Sequence, residues 1–177
     1  MLLAVLLCFV WFPFRTEKPL SLPSGGPSVY VNDAAEVLED ETEELIGINS
    51  GALRDKTGAE IAVVTVTDLG GEKSVKDYTV RLFNQWGIGD ARENNGFLLV
   101  LLITPDPDDG DYFLATGDGA EKILSNSEAD DLLYEALEPD FAVGSYDAGV
   151  RKLYMELLKI VENYYGIEID YTDADVL

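Results

Sequence analysis

The densest apolar run in the interior of the chain is Phe97-Leu98-Leu99-Val100-Leu101-Leu102-Ile103, closed by Thr104. A run of this length without polar alternation predicts a strand covered on both faces, and so the centre of a sheet. Glu60 to Thr67 is a second strand, β-branched and mostly buried. Between them, Val75 to about Trp86 places Tyr78, Leu82 and Phe83 on one helical face. Ser74 stands where it can cap that helix, and Gly87 and Gly89 end it. Strand, helix and strand predict a right-handed crossover joining two parallel strands.

The same patterning extends outward in both directions. Val29 to Asp33 opens the folded part, and Glu39, Asp40, Glu41, Glu43 and Glu44 load the start of a helix running to about Lys56, where acidic groups complement the helix dipole. Thr57-Gly58 stops it. Pro105 to Asp111 is a turn, and Tyr112 to Thr116 is its short hairpin partner, antiparallel to the central strand. Two helices follow, roughly Ser127 to Phe141 and Ser145 or Tyr146 to Tyr165. The second has Val150, Leu153, Tyr154, Leu157, Leu158 and Val161 at core spacing, and Gly166 stops it. Ile167 to Leu177 reads as an acidic tail or an added edge strand.

The hairpin has a geometric consequence for chemistry. It carries Gly117-Asp118-Gly119-Ala120-Glu121 back to the end of the sheet from which Asn94 and Asn95 lead into the central strand. Two polar loops some twenty residues apart are therefore expected to meet.

Ahead of this domain, Met1 to Phe14 is almost wholly apolar and is followed by Arg15 and Lys18. Residues 1–18 read as a hydrophobic signal or anchor segment, although the apolar run is shorter than the roughly 20 residues that span a bilayer as a helix. Residues 19–28, with Pro19, Pro23, Gly25, Gly26 and Pro27, form a linker, residues 29–166 the domain, and residues 167–177 the tail. The expected location is extracytoplasmic, either membrane-anchored through the first segment or secreted.

Composition narrows the chemistry. The formal charge of -22 on 177 residues repels nucleic acid and attracts divalent cations or basic partners. Histidine is absent and the one cysteine is Cys8, which removes Ser-His-Asp and Cys-His catalysis, the usual zinc sites and any internal disulfide. What remains are carboxylates, amides and hydroxyls, a set suited to hard cations. Asp90, Asn94, Asn95, Asp118, Glu121 and Asn126 are oxygen donors on or beside the two converging loops, and form a candidate cation site. The competing reading has Asn94 and Asn95 shaping a tight turn while Asp90 and Glu121 bind backbone amides. Asp106 to Asp111 is calcium-like at first sight, but its glycine falls one position early and position 12 is Gly117, so the EF-hand pattern fails. Gly117-x-Gly119 lacks the third glycine of a dinucleotide loop. Asp106-x-Asp108 after a strand resembles the aspartyl-phosphate enzymes, but lacks clustered Arg or Lys to stabilise a phosphoryl transition state.

Taken together, Val31-Asn32-Asp33 before an acidic helix, Thr57-Gly58-Ala59-Glu60-Ile61 leading into a strand, Trp86-Gly87-Ile88-Gly89-Asp90, Asn94-Asn95-Gly96 and Gly117-x-Gly119-x-Glu121 resemble the TPM domain over about Val29 to Tyr165. The resemblance implies an α/β fold, a three-layer α/β/α sandwich around a small mixed sheet. It also implies an extracytoplasmic setting, weak divalent-cation binding, notably of calcium, and accessory roles beside membrane protein complexes. The alternative it implies is a slow, metal-dependent acid phosphatase, with no catalytic residue assigned. Three positions depart from the pattern: Asp118 where a large residue is common, Lys122 where glycine is common, and Asn126 where Asp is common. The last removes one anionic ligand.

Overall fold

The computed structural model describes residues 30–169. The hydrophobic segment expected over residues 1–18, the linker over 19–28 and most of the acidic tail lie outside those residues. Among the described residues no helix is long and apolar enough to cross a membrane.

Four strands form one sheet in the order β1-β2-β3-β4, with β1 spanning Val31–Asp33, β2 Glu60–Val66, β3 Gly96–Leu102 and β4 Asp111–Thr116. The first three run parallel, and β4 pairs antiparallel with β3 through Phe97↔Thr116 to Leu102↔Asp111. Every residue of β2 is buried, because alternate side chains feed two separate cores. Ile61 and Val63 join Phe97, Leu99 and Leu101 on one face, under α1 (Asp40–Thr57) and α5 (Tyr146–Tyr165). Ala62, Val64 and Val66 join Leu98 and Val100 on the other, under α2 (Val75–Trp86), the one helix on that face among the described residues. This is the three-layer α/β/α arrangement. Ser74 caps α2 by accepting the Asp77 N–H at 3.1 Å.

The crossovers hold a surprise. β1 to β2 and β2 to β3 step the same way across the sheet, yet α1 covers one face and α2 the other. Two such connections have opposite hands, so only one obeys the strong right-handed preference of parallel crossovers. The loops leaving β1 and β2 consequently diverge to opposite faces.

The helix expected as one piece over roughly Ser127 to Phe141 is divided. α3 (Asn126–Leu132) begins with a capping box between Ser125 and Glu128, a π-helical turn occupies Leu133–Leu137, and α4 (Glu138–Phe141) completes it. Pro139 accounts for the break: it has no N–H for the Glu135 carbonyl four residues back, and its ring crowds that oxygen. The Lys152 ammonium on α5 donates to the Glu135 carbonyl instead, at 3.0 Å. Deeper in the same face, Tyr154 and Ser50 share a buried hydrogen bond at 2.9 Å, and the Ser50 hydroxyl donates to Ile61 O at 2.7 Å. This ties α5 to α1 and β2.

Candidate loop-junction site

The two polar loops meet, and they do so through backbone. The Asn94 carbonyl accepts the N–H groups of Gly119 at 2.9 Å and Ala120 at 3.3 Å, and Gly117 N–H donates to Gly96 O at 3.0 Å. Glycine is required for this approach. A Cβ on Gly119 would lie 1.8 Å from Glu93 O, and one on Gly117 2.2 Å from Asn94 O. Asn94 takes the left-handed conformation, φ 49°, which asparagine tolerates better than most side chains.

The first loop is fastened from several sides. One Asp90 carboxylate oxygen accepts the N–H groups of Arg92 at 2.8 Å and Glu93 at 3.1 Å. These two bonds, the Arg92 one foremost, hold the Asp90 carboxyl below the usual carboxylate range. Asn95 is buried; its amide oxygen accepts the Asp90 N–H at 3.0 Å, and its amide nitrogen donates to the Tyr165 hydroxyl at 2.8 Å. Glu60, buried at the start of β2, accepts the Gly89 N–H at 2.8 Å and pairs with Arg54 Nε at 3.0 Å.

In the second loop, Glu121 N–H closes a turn on Gly117 O at 3.1 Å, and the Asn126 amide donates to Glu121 Oε1 at 3.0 Å. The Thr116 hydroxyl lies 3.5 Å from Asn126 Oδ1. Asp118, Glu121 and Asn126 are all exposed.

The six expected donors thus divide into two groups. Asp90, Asn94 and Asn95 shape the first loop: the Asn95 amide is occupied by the Asp90 N–H and Tyr165, one Asp90 carboxylate oxygen by backbone, and Asn94 acts through its main-chain carbonyl. Asp118, Glu121 and Asn126 lie on or beside the second, where the Asn126 amide holds Glu121. Among the described residues, no three His, Cys, Asp or Glu side chains converge in a metal-holding group. The donor set fits a largely hydrated cation touched by one or two carboxylates. It does not fit a sphere of six to eight protein oxygens.

The opposite end of the sheet holds a feature that the sequence did not reveal. Asp33, only 8% exposed, accepts the Thr65 hydroxyl on one oxygen and the Leu38 N–H at 2.8 Å on the other. The Thr65 oxygen in turn accepts Ala35 N–H at 3.1 Å. Glu43 faces this cluster, and its carboxyl is pushed up by burial first and then by Asp33 and Asp40. The available signal was an Asp ending a short strand and followed by two alanines and an acidic helix start.

The sequence model of the TPM domain matches residues 31–160. No curated protein matches the chain. Among solved structures, the N-terminal domain of a protein from P. gingivalis superposes with a TM-score of 0.68 at 26% identity, over 81% of this chain and 88% of that one. The BA42 protein from Bizionia argentinensis gives 0.58 at 18% identity, over 78% and 93%. The N-terminal domain of protein cg2496 from Corynebacterium glutamicum gives 0.55 at 13% identity, over 86% and 94%. The last two share the fold.

Proposed function

The chain belongs to the TPM domain family, and from that premise we propose that it works as an extracytoplasmic, membrane-tethered binding or accessory module carrying a weak calcium contact. The tether in this reading is the apolar run Met1 to Phe14. The observation that carries the proposal is the fastening of the second loop to Asn94. It sets the exposed carboxylates of Asp118 and Glu121, with Asn126 beside them, on a backbone that does not need to reorganise to meet a ligand. Few donors and much remaining hydration place the affinity near the weak end for extracellular calcium modules, at a dissociation constant of about 1 mM.

A calcium titration followed by amide resonances tests this. The expected outcome is saturable shifts at Asp118, Glu121 and Asn126 that Glu121→Gln weakens by about tenfold to a hundredfold, one charge-assisted ligand being worth about 1.5–3 kcal/mol, while Asp90 and Asn95 stay still. Absence of saturable shifts through about ten times that concentration overturns the cation part. Cation-dependent turnover of a phosphate monoester, lost in the same variant, replaces the binding reading with the phosphatase one.

A further inference from the structure

The two edges of the sheet differ in what they leave open. β1 offers three buried residues, whereas β4 offers six, about 20 Å of strand. Both faces of β4 are covered: Phe141 stacks edge-on against Tyr112 at 5.0 Å, and Lys76 Nζ lies 5.4 Å from the Phe113 ring on the α2 side. The lateral edge is another matter. Gly117 N–H points inward to Gly96 O. Since direction alternates along a strand, Asp111, Phe113 and Ala115 pair with β3, while Tyr112, Leu114 and Thr116 turn their N–H and C=O groups outward. The Tyr112 N–H is taken by its neighbour's Asp111 carboxylate at 2.9 Å, as that alternation requires. Among the described residues nothing pairs with the outward main-chain groups of Leu114, a residue only 5% exposed overall, and of Thr116, which leaves an unpaired template for another strand.

Charge selects the occupant. Exposed Asp106, Asp108, Asp109 and Asp111 stand at one end of β4, and exposed Asp118 and Glu121 at the other, with Lys122 the only opposing charge in that second turn. We propose that the outer edge of β4 accepts an added strand from a partner polypeptide, an extended segment with Lys or Arg at both ends. A second copy of this chain is disfavoured by a formal charge of -22 on each. The chain's own ends also match poorly: residues 170–177 add Asp170, Asp173 and Asp175, and residues 19–28 are interrupted by three prolines that cannot donate to a ladder. The inference rests on the binding-module reading but not on its calcium part.

The test uses the full chain and a capped nonapeptide of alternating valine and threonine with two lysines at each end, against a counterpart ended in glutamates. In the free protein the amides of Leu114 and Thr116 exchange with solvent faster than those of Phe113 and Ala115. The lysine peptide is expected to slow both by at least about tenfold, with an affinity that falls as salt rises, and the glutamate peptide to change neither. Replacing exposed Asp108, Asp109 and Asp111 together by lysine is expected to weaken binding about tenfold or more. Peptide binding that leaves Leu114 and Thr116 unprotected, or no binding at all, overturns the proposal. So does protection of both amides in the free chain, with sedimentation then separating a second copy from the chain's own tail. A failed calcium titration leaves the proposal standing, whereas cation-dependent ester turnover without peptide protection removes both it and the binding reading.

Discussion

At the amino ends of the parallel strands the chain is joined backbone to backbone, whereas at their carboxyl ends one buried carboxylate gathers the loops. The loop junction depends on the absence of side chains at Gly117 and Gly119, and its carboxylate, Asp90, stays exposed. The Asp33 cluster depends on a side chain whose two oxygens satisfy Thr65 and Leu38. A contact built on missing atoms tolerates no addition, and a contact built on a buried charge tolerates no subtraction. Close packing enforces the first rule and desolvation the second.

The largest expected effect breaks the junction. Gly119→Ala drives a methyl group into Glu93 O and should cost about 3 kcal/mol or more in urea unfolding, because the neighbour is backbone and cannot swing aside. Gly87→Ala is the control: φ is 65° there but nothing lies within 4 Å, so only the backbone penalty of about 1 kcal/mol remains. If the two variants lose equal stability, the junction is not sterically closed. Next comes the far end, where Asp33→Ala strands a buried hydroxyl and an N–H and should cost about 2–3 kcal/mol by the same measurement.

Asn95→Ala, which cuts the tie between the first loop and Tyr165, should cost about 1–2 kcal/mol and move the amide resonance of Asp90. The smallest effects separate the two ends by the sign of their pH dependence. Asp90 titrates below its unfolded value, so its contribution is complete above the ordinary carboxylate range and is lost as pH falls through the depressed value. Glu43 titrates above its unfolded value, so its ionisation penalises the fold at neutral pH, and that penalty fades on acidification. Unfolding measured across acidic pH should therefore show a shallower acid loss in Asp90→Asn, and a small gain at neutral pH in Glu43→Gln. The same sign in both variants would erase the electrostatic half of the contrast.

Much of this was legible beforehand because it rests on local periodicity. The unbroken apolar run fixed β3 as central, and the hairpin geometry brought Gly117 to Glu121 back to Asn94. The division at Leu133–Leu137 was not foreseen, although Pro139, inside the expected helix, lacks the N–H that an unbroken helix needs. The opposite hands of the crossovers were invisible, since handedness depends on which face each helix covers, and β2 is apolar on both. Asp33 was legible only as part of a family motif; its buried hydrogen bonds to Thr65 and Leu38 were not, because acidity at the start of α1 pointed to a solvated helix end. Asp90 and Asn95 were expected either as cation donors or as groups that shape the turn, and the structure shows them in turn-shaping hydrogen bonds. Their hydrogen bonds to Arg92, Glu93 and Tyr165 could come only from the folded backbone.

The shortness of β1 bears on how the domain carries load. A pull along the chain from before Tyr30 reaches the sheet through three residues that, among the described residues, are registered on one side only, Val31 to Asp33 against Val63 to Thr65. Each ladder bond there shares the force with few others, and the bonds of Asp33, Ala34 and Ala35 to Thr65 are the last clasps before the strand peels away. The remaining strands are bound differently, with seven registered pairs joining β2 to β3. Tension would thus detach β1 first and leave the loop junction and the β4 edge in place, making the first strand a mechanical fuse.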